Sequence, residues 1–477
     1  MDDASSGGAS LPRSGPAPLH LSRWRDPPVV AVALVAMAAG FGQFGAVAAL
    51  GDVAKSFGHL ASGATLADQA GLSGTVLGLG LAILRLASLG GLPLAALADR
   101  FGRRATLLAT CAAGLAFTVA AAASPSYWWF VAIFALGRPL LSATIGVAQV
   151  AAAELTSTAE RARAVALVAG GYGVGAGLTA LIHGAAKTTL GFRGVFALAI
   201  VPLVLLPLIG RRLVEPERFT RVAKGGYARP VLGPVGSAFR RRLVIVALLT
   251  FCVSVITGPA NSFLFLYAQN VRHTSGLVIS AMVVGAGVTG LAGLLAGRWL
   301  ADHVGRRPTG ALAMVGMAGC GLLAYSGSRV ALVLGYVLGV LAGSVFAPAA
   351  GAFVNELFPT EVRASVAGWQ IAAGVFGAVA GLLVFGAVAD VGDRFSIAAM
   401  VTFLPMVPAV ALLWWLPETR GRELESLEPV SVDPEPLGSD APGSAAPGPV
   451  EQEGGRRGSP GGDRSSDVFG ASGTMGR

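Results

Sequence analysis

Charge and cysteine are both scarce in this chain of 477 residues, of which only 13% are charged. Soluble proteins carry about 25% charged residues, so the composition excludes a set of soluble domains. The three cysteines lie singly inside apolar runs, which excludes a disulfide framework and a zinc site. His, Asp, Glu and Cys do not cluster at any one depth of these runs. We therefore predict that the chain is not an enzyme and has no metal site and no cofactor.

Long apolar runs, in contrast, are abundant, and the mean hydropathy is +0.68. A helix of about 20 apolar residues crosses the roughly 30 Å of hydrocarbon in a bilayer. The runs predict an all-α membrane protein with twelve transmembrane helices, at about residues 29–51, 73–98, 105–124, 127–153, 162–186, 194–212, 243–268, 275–301, 308–326, 330–355, 362–389 and 394–416.

Lys and Arg are concentrated in the loops on one side of the predicted membrane. With the N-terminus in the cytoplasm, the inner segments before the tail hold 20 of these residues and the outer loops hold 6. The positive-inside rule then predicts that both termini are cytoplasmic. This placement accounts for the net charge of +9 without a nucleic-acid partner. Arg outnumbers Lys by 32 to 3, a bias typical of GC-rich bacterial genomes, so we predict a multi-pass protein of the bacterial plasma membrane.

Two charged segments occur twice at nearly the same offset. The octet "LADRFGRR" at 97–104 returns as "LADHVGRR" at 300–307, an offset of 203 residues, and the segment beginning at Glu154 returns at Glu356, an offset of 202. A shared offset predicts a duplicated six-span half, and an even number of spans makes the two halves parallel repeats. The predicted organisation is a disordered cytoplasmic N-terminus (1–28), an N-terminal half (29–212), a cytoplasmic linker (213–242), a C-terminal half (243–420) and a disordered cytoplasmic tail (421–477).

The octet between the second and third spans resembles the signature of the major facilitator superfamily, and the resemblance covers about residues 29–420. The usual leading glycine of the signature is Ala95 in the first copy and Arg298 in the second. "EPERF" after span six, "ELFPTEVR" after span ten and "LPETRGRELE" after span twelve are similar to the sugar-porter branch. The resemblance implies two pseudo-symmetric six-helix halves with a site between them that opens to each side in turn.

The residues that bind sugar in that branch are not matched. Sugar porters carry a glutamine-rich patch in span five and a Gln-Gln pair in span seven, whereas this chain has "ALVAGGYGVGAG" and "LLTFCVSVITGPANSF" there. Their proton-binding Asp in span one falls within "GFGQFG" (Gly40–Gly45), which has no acid. The resemblance implies that protons are the coupling ion, but this chain has no carboxylate at the matching position. His183, in span five, is interpreted as a hydrogen-bonded packing residue rather than a proton carrier.

The resemblance also implies a role for the charged residues around the octets. They are expected to hold the two halves together on the cytoplasmic side when the site faces outward, and to separate when it opens inward. The alternative is that they only set the topology, with the acids capping helices. These candidate gating residues are Asp99, Arg100, Arg103, Arg104, Glu154, Arg161, Arg163, Asp302, Arg306, Arg307, Glu356 and Arg363.

Two arginines lie deep inside predicted spans. Arg85 precedes Asp99 by 14 residues and Arg138 precedes Glu154 by 16, which places both beyond the bilayer midplane. Since a membrane-centred arginine costs at least about 2.5 kcal/mol, each should have a specific partner. One hypothesis is an anion-binding pair for a carboxylate or phosphate; the other is that they bond backbone carbonyls or Gln43 and Gln149. The substrate-binding candidates are Gln43, Arg85, Arg138, Asn261 and Gln370.

We accordingly predict a secondary active or facilitative transporter of a small polar or anionic solute, working by alternating access. Its expected partners are the solute and the lipid bilayer, and we expect a functional monomer. The alternatives are an efflux pump for amphiphilic compounds and a membrane sensor that no longer transports. The sequence gives neither the identity of the solute nor the direction of its net movement.

Overall fold

The computed structural model describes residues 21–58, 70–216, 232–392, 394–403 and 406–420. This part of the chain is almost entirely helical, and its only β contact is an isolated bridge between Ser22 and Thr156. The predicted disordered tail (421–477) lies outside the described residues, as do residues 1–20 of the predicted N-terminal segment and 217–231 of the predicted linker.

Each of the twelve predicted spans corresponds to a helix. Eleven helices in the described part are long and apolar enough to cross a membrane. The other, Arg306–Ala324, has 19 residues but begins with two arginines and a proline and contains four glycines, which lowers its hydropathy. We number the helices α1 (Pro27–Ala48), α2 (Gly74–Phe101), α3 (Arg103–Ala121), α4 (Tyr127–Leu155), α5 (Thr158–Ala186), α6 (Leu190–Gly210), α7 (Ser237–Val271), α8 (Gly276–His303), α9 (Arg306–Ala324), α10 (Arg329–Glu356), α11 (Val362–Val391) and α12 (Phe395–Trp415).

The packing of α7–α12 repeats that of α1–α6. The pair α1–α5 corresponds to α7–α11, the pair α3–α4 to α9–α10, and the pair α2–α4 to α8–α10. The two sets of helices meet where α2 packs on α11 and α5 packs on α8. The helix pairs therefore show the duplication that the repeated segments predict.

Large apolar side chains remain exposed on the outer helices, as on Val204, Leu295 and Val330, each about two-thirds exposed. On a soluble protein such continuous apolar surface would be a liability, but in a membrane it faces lipid. Most of α1, in contrast, is buried among its neighbours. The distribution places α1 in the interior and the exposed faces against the hydrocarbon.

The sixth residue of each octet is a glycine with a left-handed backbone. Gly102 has φ +94° and Gly305 has φ +121°, a conformation that other residues adopt only with strain. These glycines end α2 and α8 and allow α3 and α9 to start at once. We call the end of the bundle that carries the two octets the octet face, and the other end the opposite face.

Candidate functional site

Two arginines lie together inside the first set of helices. Arg138 on α4 donates from Nη1 to the backbone oxygen of Gln43 over 3.4 Å. Arg85 on α2 lies close enough for its positive charge to act on Arg138. Among the described residues, neither guanidinium is within ion-pair distance of a carboxylate. The buried Nε of Arg138 has no hydrogen-bond partner there either. This pair therefore has unmet capacity to bind an anion.

Gln43 is held in place beside the arginines by side chains of two other helices. Its Nε2 donates to Ser142 Oγ on α4 over 3.3 Å, and its Oε1 accepts from the hydroxyl of Tyr172 on α5 over 3.2 Å. Gln43 is only 5% exposed. These bonds fix the orientation of the amide, so that α1, α4 and α5 present a rigid polar wall around the arginine pair.

Arg85 also faces the second set of helices. It lines a cavity of about 170 Å³ together with residues of α7 and α11. This lining puts the positive charge of one set opposite small polar and apolar groups of the other: Ser254, Thr257, Gly258, Ile371, Gly374, Val375 and Ala378. A ligand bound to Arg85 here would contact both sets at once.

A second cavity, of about 250 Å³, lies next to the first and shares Thr257 with it. Asn261, Tyr336 and Ser344 supply its polar lining, and Met317 and Leu264 part of its apolar wall. Each cavity is smaller than the roughly 300–1,000 Å³ typical of pockets for drug-sized ligands. The space suits a small solute better than a bulky amphiphile.

The structure brings together some of the predicted binding residues and separates others. Gln43, Arg85 and Arg138 form one cluster, whereas Asn261 lies on α7 and donates its amide to Thr257 O on that helix over 2.8 Å. Gln370 is half-buried and lines neither of the two cavities. Gln149 is exposed, and the described hydrogen bonds of the arginines do not include it. Tyr172 and Ser142 join the cluster, and Ser142 is not among the predicted site residues.

At the octet face, Arg103 is the centre of an ion-pair network in the first set. Its Nε and Nη2 donate to the two carboxylate oxygens of Glu154, each over 3.1 Å, and its Nη1 lies 2.6 Å from Asp99 Oδ1. Arg103 is only 8% exposed. The guanidinium thus connects the start of α3 to the end of α4 and to the end of α2, where Asp99 lies.

Arg306 occupies the matching place in the second set. Its Nη2 lies 3.1 Å from Glu356 Oε1 and 3.5 Å from Asp302 Oδ1. Glu356 also accepts a very short hydrogen bond from the Thr419 hydroxyl. The described ion pairs at the octet face therefore lie within one set or the other, and join helices of the same set.

Two further glutamates complete these networks and are not among the predicted site residues. Glu215 accepts from the backbone amides of Arg103 and Arg104 over 2.5 and 2.9 Å, and Glu418 accepts from those of Arg306 and Arg307 over 2.9 and 3.0 Å. Each carboxylate thereby caps the first turn of α3 or α9, where the helix dipole favours negative charge. The signal was present in the sequence, because these glutamates are 203 residues apart, as the octets are.

The pKa of Glu418 reflects this capping. Partial burial by itself raises the pKa of the carboxyl, but hydrogen bonds from the amides of Arg307, Arg306, Arg420 and Thr419 outweigh it and lower the pKa below its ordinary value. The carboxylate is consequently stabilised in its charged form at the N-terminus of α9.

The remaining predicted gating residues have separate contacts. Arg104 donates to Gly210 O over 3.0 Å, Arg363 donates to Phe358 O over 2.9 Å, and Arg163 pairs with Glu160 over 2.9 Å instead of with Glu154. Arg100 is exposed and lies over the ring of Phe101, while the Nε atoms of Arg161 and Arg307 are buried without a described partner. The role of these residues in gating stays a prediction.

At the opposite face, hydrogen bonds cross from one set of helices to the other. Asp390 on α11 accepts from Gly74 N over 2.5 Å, from Thr75 N over 2.8 Å and from Thr75 Oγ1 over 2.6 Å, all at the start of α2. Ser280 on α8 donates to Ala180 O on α5 over 3.3 Å. The described hydrogen bonds between α1–α6 and α7–α12 all lie toward this end. We call these crossing contacts the seal.

The chain matches two family models. The model for the Major Facilitator Superfamily matches residues 32–299, and the model for "Sugar (and other) transporter" matches residues 224–430.

Individual proteins are similar over most of the chain. A metabolite transport protein of Haemophilus influenzae is 26% identical over 360 residues, which cover 70% of this chain and 85% of that protein. The gallate transporter of Pseudomonas putida is 26% identical over 369 residues, covering 68% of this chain and 80% of that one. Among solved structures, the inward-open xylose transporter XylE of E. coli superposes with a TM-score of 0.66 at 18% identity, covering 84% of this chain and 99% of that one.

Proposed function

We propose, from the premise that this chain belongs to the Major Facilitator Superfamily, that the small solute it transports is an organic carboxylate. The chain is a multi-pass membrane transporter that works by alternating access, and it is not an enzyme. The observation that carries the proposal is the pair Arg85 and Arg138, which has no acidic partner among the described residues. A carboxylate would supply the missing negative charge.

The chemistry of guanidinium groups supports a carboxylate. Arg presents a planar fork of N–H donors that matches the two oxygens of a carboxylate, and the pairing is strongest away from water. The buried Nε of Arg138 is an unused donor of this kind. The similar gallate transporter is named for an aromatic carboxylate, which agrees with this assignment. We therefore assign the carboxylate end of the solute to the arginine pair and its body to the cavities beside α7 and α10.

This arrangement also suggests how binding drives alternation. The arginines lie on α2 and α4, whereas the other walls of the two cavities lie on α7, α9, α10 and α11. A solute held by Arg85 would draw the two sets together around itself and so favour occlusion. A ligand changes such an equilibrium only through its different affinity for the two states.

We further propose the orientation and the moving bodies. The excess of Lys and Arg in loops on the octet side supports a cytoplasmic octet face and cytoplasmic termini in a bacterial plasma membrane. With the seal closed at the opposite face, the conformation described above is then the inward-open state of a monomer. We take 29–212 and 243–420 as the two bodies, joined by the linker 213–242.

The test is a thermal-shift screen of purified protein with aromatic and aliphatic carboxylates, sugars and cationic amphiphiles. A ligand of the folded state adds about 2.7 kcal/mol of stability at 100 times its Kd. We expect a raised melting temperature with carboxylates alone, and loss of this rise in Arg85→Gln and Arg138→Gln. Arg298→Gln is the matched control, because Arg298 is exposed on α8. A rise with sugars or amphiphiles alone, or an unchanged carboxylate response in both variants, would overturn the proposal.

A further inference from the structure

A buried pair of titratable side chains lies next to the seal. His183 on α5 and Asp52, in the short helix Leu50–Phe57 that follows α1, are joined by a contact of 2.7 Å between Nε2 and Oδ2. His183 is 3% exposed and Asp52 9% exposed. The two residues are 131 positions apart in the sequence, so only the fold brings them together. Nothing in the carboxylate site described above uses this pair.

Each member of the pair is adjacent in sequence to a residue of the seal. Gly184 follows His183, and a Cβ atom there would lie 2.2 Å from Ser280 Oγ and 2.5 Å from Gly276 O, both on α8. Gly51 precedes Asp52, and a Cβ atom there would lie 2.2 Å from Gln269 Oε1 on α7. The backbone that carries each member of the pair thus takes part in the contact between the two sets of helices.

The second contact is made by an unusual turn of helix. The end of α7, Tyr267–Val271, is a π-helix, a wide turn often found at functional sites. It directs Asn270 Nδ2 to Gly51 O over 3.0 Å and to Ala70 O over 2.9 Å, and Gln269 Nε2 to Ala48 O over 2.7 Å. Gly51 lies in the short helix that carries Asp52, so the position of that helix decides whether Asn270 keeps this acceptor.

The pair has a route to water on the opposite face. Asp52 lines a cavity of about 390 Å³ with Lys55, Ser56, Leu190, Gly191, Phe192 and Arg193. Lys55 and Arg193 are the other charged groups in that lining. The guanidinium of Arg193 donates to Ala122 O over 2.8 Å. From α8, Ser280 and Gly276 face this part of α5, and both are uncharged. A proton could reach the pair from this side without passing through the carboxylate site.

We propose that Asp52 and His183 together form a proton-binding site, and that the bound proton stabilises the seal at the opposite face. A proton taken up by His183 turns the contact with the Asp52 carboxylate into a charge-assisted hydrogen bond between opposite charges, which is stronger than the bond from a neutral imidazole. The stronger bond holds the short helix on α5 and keeps Gly51 O in place as an acceptor for Asn270. Imidazole is the group whose charge ordinarily changes between about pH 5 and 8.

The test measures the seal as a function of pH. Spin labels would be placed at Pro125 and Ser326, exposed positions in the α3–α4 and α9–α10 loops of the opposite face, after Cys111, Cys252 and Cys320 are replaced by Ala. Lowering the pH from about 8 to 5.5 should raise the ratio of short to long distances, by at most about ten-fold per pH unit for one linked proton. His183→Gln keeps an N–H donor but takes up no proton, so its ratio should not change with pH.

His303→Gln is the matched control, because His303 is exposed at the octet face and should leave the pH response intact. Asp52→Asn provides a second variant: it removes the negative charge and should flatten the response in the same way. A pH response that persists in both His183→Gln and Asp52→Asn, or a wild-type ratio that does not change with pH, would overturn the proposal.

This inference rests on the proposed transport function, but the two proposals can be refuted independently. The carboxylate-induced rise in melting temperature should persist in His183→Gln, because Arg85 and Arg138 are untouched. Loss of the rise in the arginine variants with an unchanged pH response would support both proposals. No carboxylate response in wild type, with a pH-dependent distance that His183→Gln abolishes, would overturn the substrate assignment and leave the proton site standing.

Discussion

Gly184 and Gly276 meet backbone to backbone at the opposite face, so closely that a Cβ atom on Gly276 would lie 2.1 Å from the carbonyl oxygen of Gly184. The same contact exists between Gly386 and Gly74, where a Cβ atom on Gly386 would lie 2.2 Å from Gly74 O. Gly74 and Gly276 are 202 residues apart, as are Gly184 and Gly386. The close helix crossings of the seal are therefore duplicated with the halves, and only small residues allow such an approach.

A side chain at this crossing should open the seal. Gly276→Leu places atoms where the backbone of α5 now lies, so we expect the opposite face to be open in most molecules and the distance between spin labels at Pro125 and Ser326 to increase. Gly287→Leu on the same helix is the control, because nothing lies within 4 Å of a Cβ atom there. Equal distance distributions in the two variants would contradict the assignment of Gly276 to the seal.

The carboxylate of Asp390 should contribute to the same closure by a different interaction. Asp390→Asn removes the charge that two amides and a hydroxyl at the start of α2 now share. Hydrogen bonds to a charged acceptor contribute about 1 kcal/mol more than those to a neutral one, so we expect a shift of roughly five-fold toward the open seal. The measurement is the distance between spin labels at Pro125 and Ser326. Asp302→Asn, at the octet face, should leave this distance unchanged; a distance equal to wild type in Asp390→Asn would count against a role of Asp390 in the seal.

Replacement of Arg103 by lysine should destabilise the folded protein. The two bonds from Arg103 to Glu154 need the guanidinium fork, and the side chain is buried, so Arg103→Lys leaves a carboxylate oxygen with a weaker partner. We expect a loss of about 1–3 kcal/mol in the free energy of unfolding, measured by denaturant titration. Arg100→Lys serves for comparison, because Arg100 is exposed. If both lysine variants unfold at the same denaturant concentration as wild type, the Arg103–Glu154 bond contributes little.

The stability of the folded protein should depend on pH through the carboxylate of Glu418. Its pKa in the folded protein is below the ordinary glutamate value of 4.5, because amides of α9 and of residues 419–420 stabilise the carboxylate. The folded state therefore binds this proton less readily than the unfolded state, and the stabilisation is complete above pH 4.5 and declines as the pH falls through the lower, folded-state pKa. Melting temperatures of wild type and Glu418→Gln should differ at neutral pH and converge below pH 4.5. A constant difference down to the lowest pH would show that the charge is not responsible.

Much of the fold could be predicted because apolar runs and repeated segments are visible directly along the sequence. Apolar runs give the twelve helices, and the shared offset of 202–203 residues gives the duplication. The candidate site was predictable only in part. Arg85 and Arg138 stood out because charge is costly inside a membrane, whereas nothing in the sequence distinguished Ser142 from other polar residues of the spans.

Glu215 and Glu418 show which features follow from the sequence and which depend on the tertiary structure. Their spacing and the motifs around them are fixed by the sequence, and so is the fact that each follows six spans. Each carboxylate accepts hydrogen bonds from the amides that begin α3 or α9, 111–112 residues away. The tertiary structure decides this contact, because it depends on how the intervening helices pack and bring the chain back to the octet face. The same holds for His183 and Asp52, and for the choice of which face is sealed. Hydropathy and repetition act along the chain, whereas hydrogen bonds between distant residues exist only once helices pack.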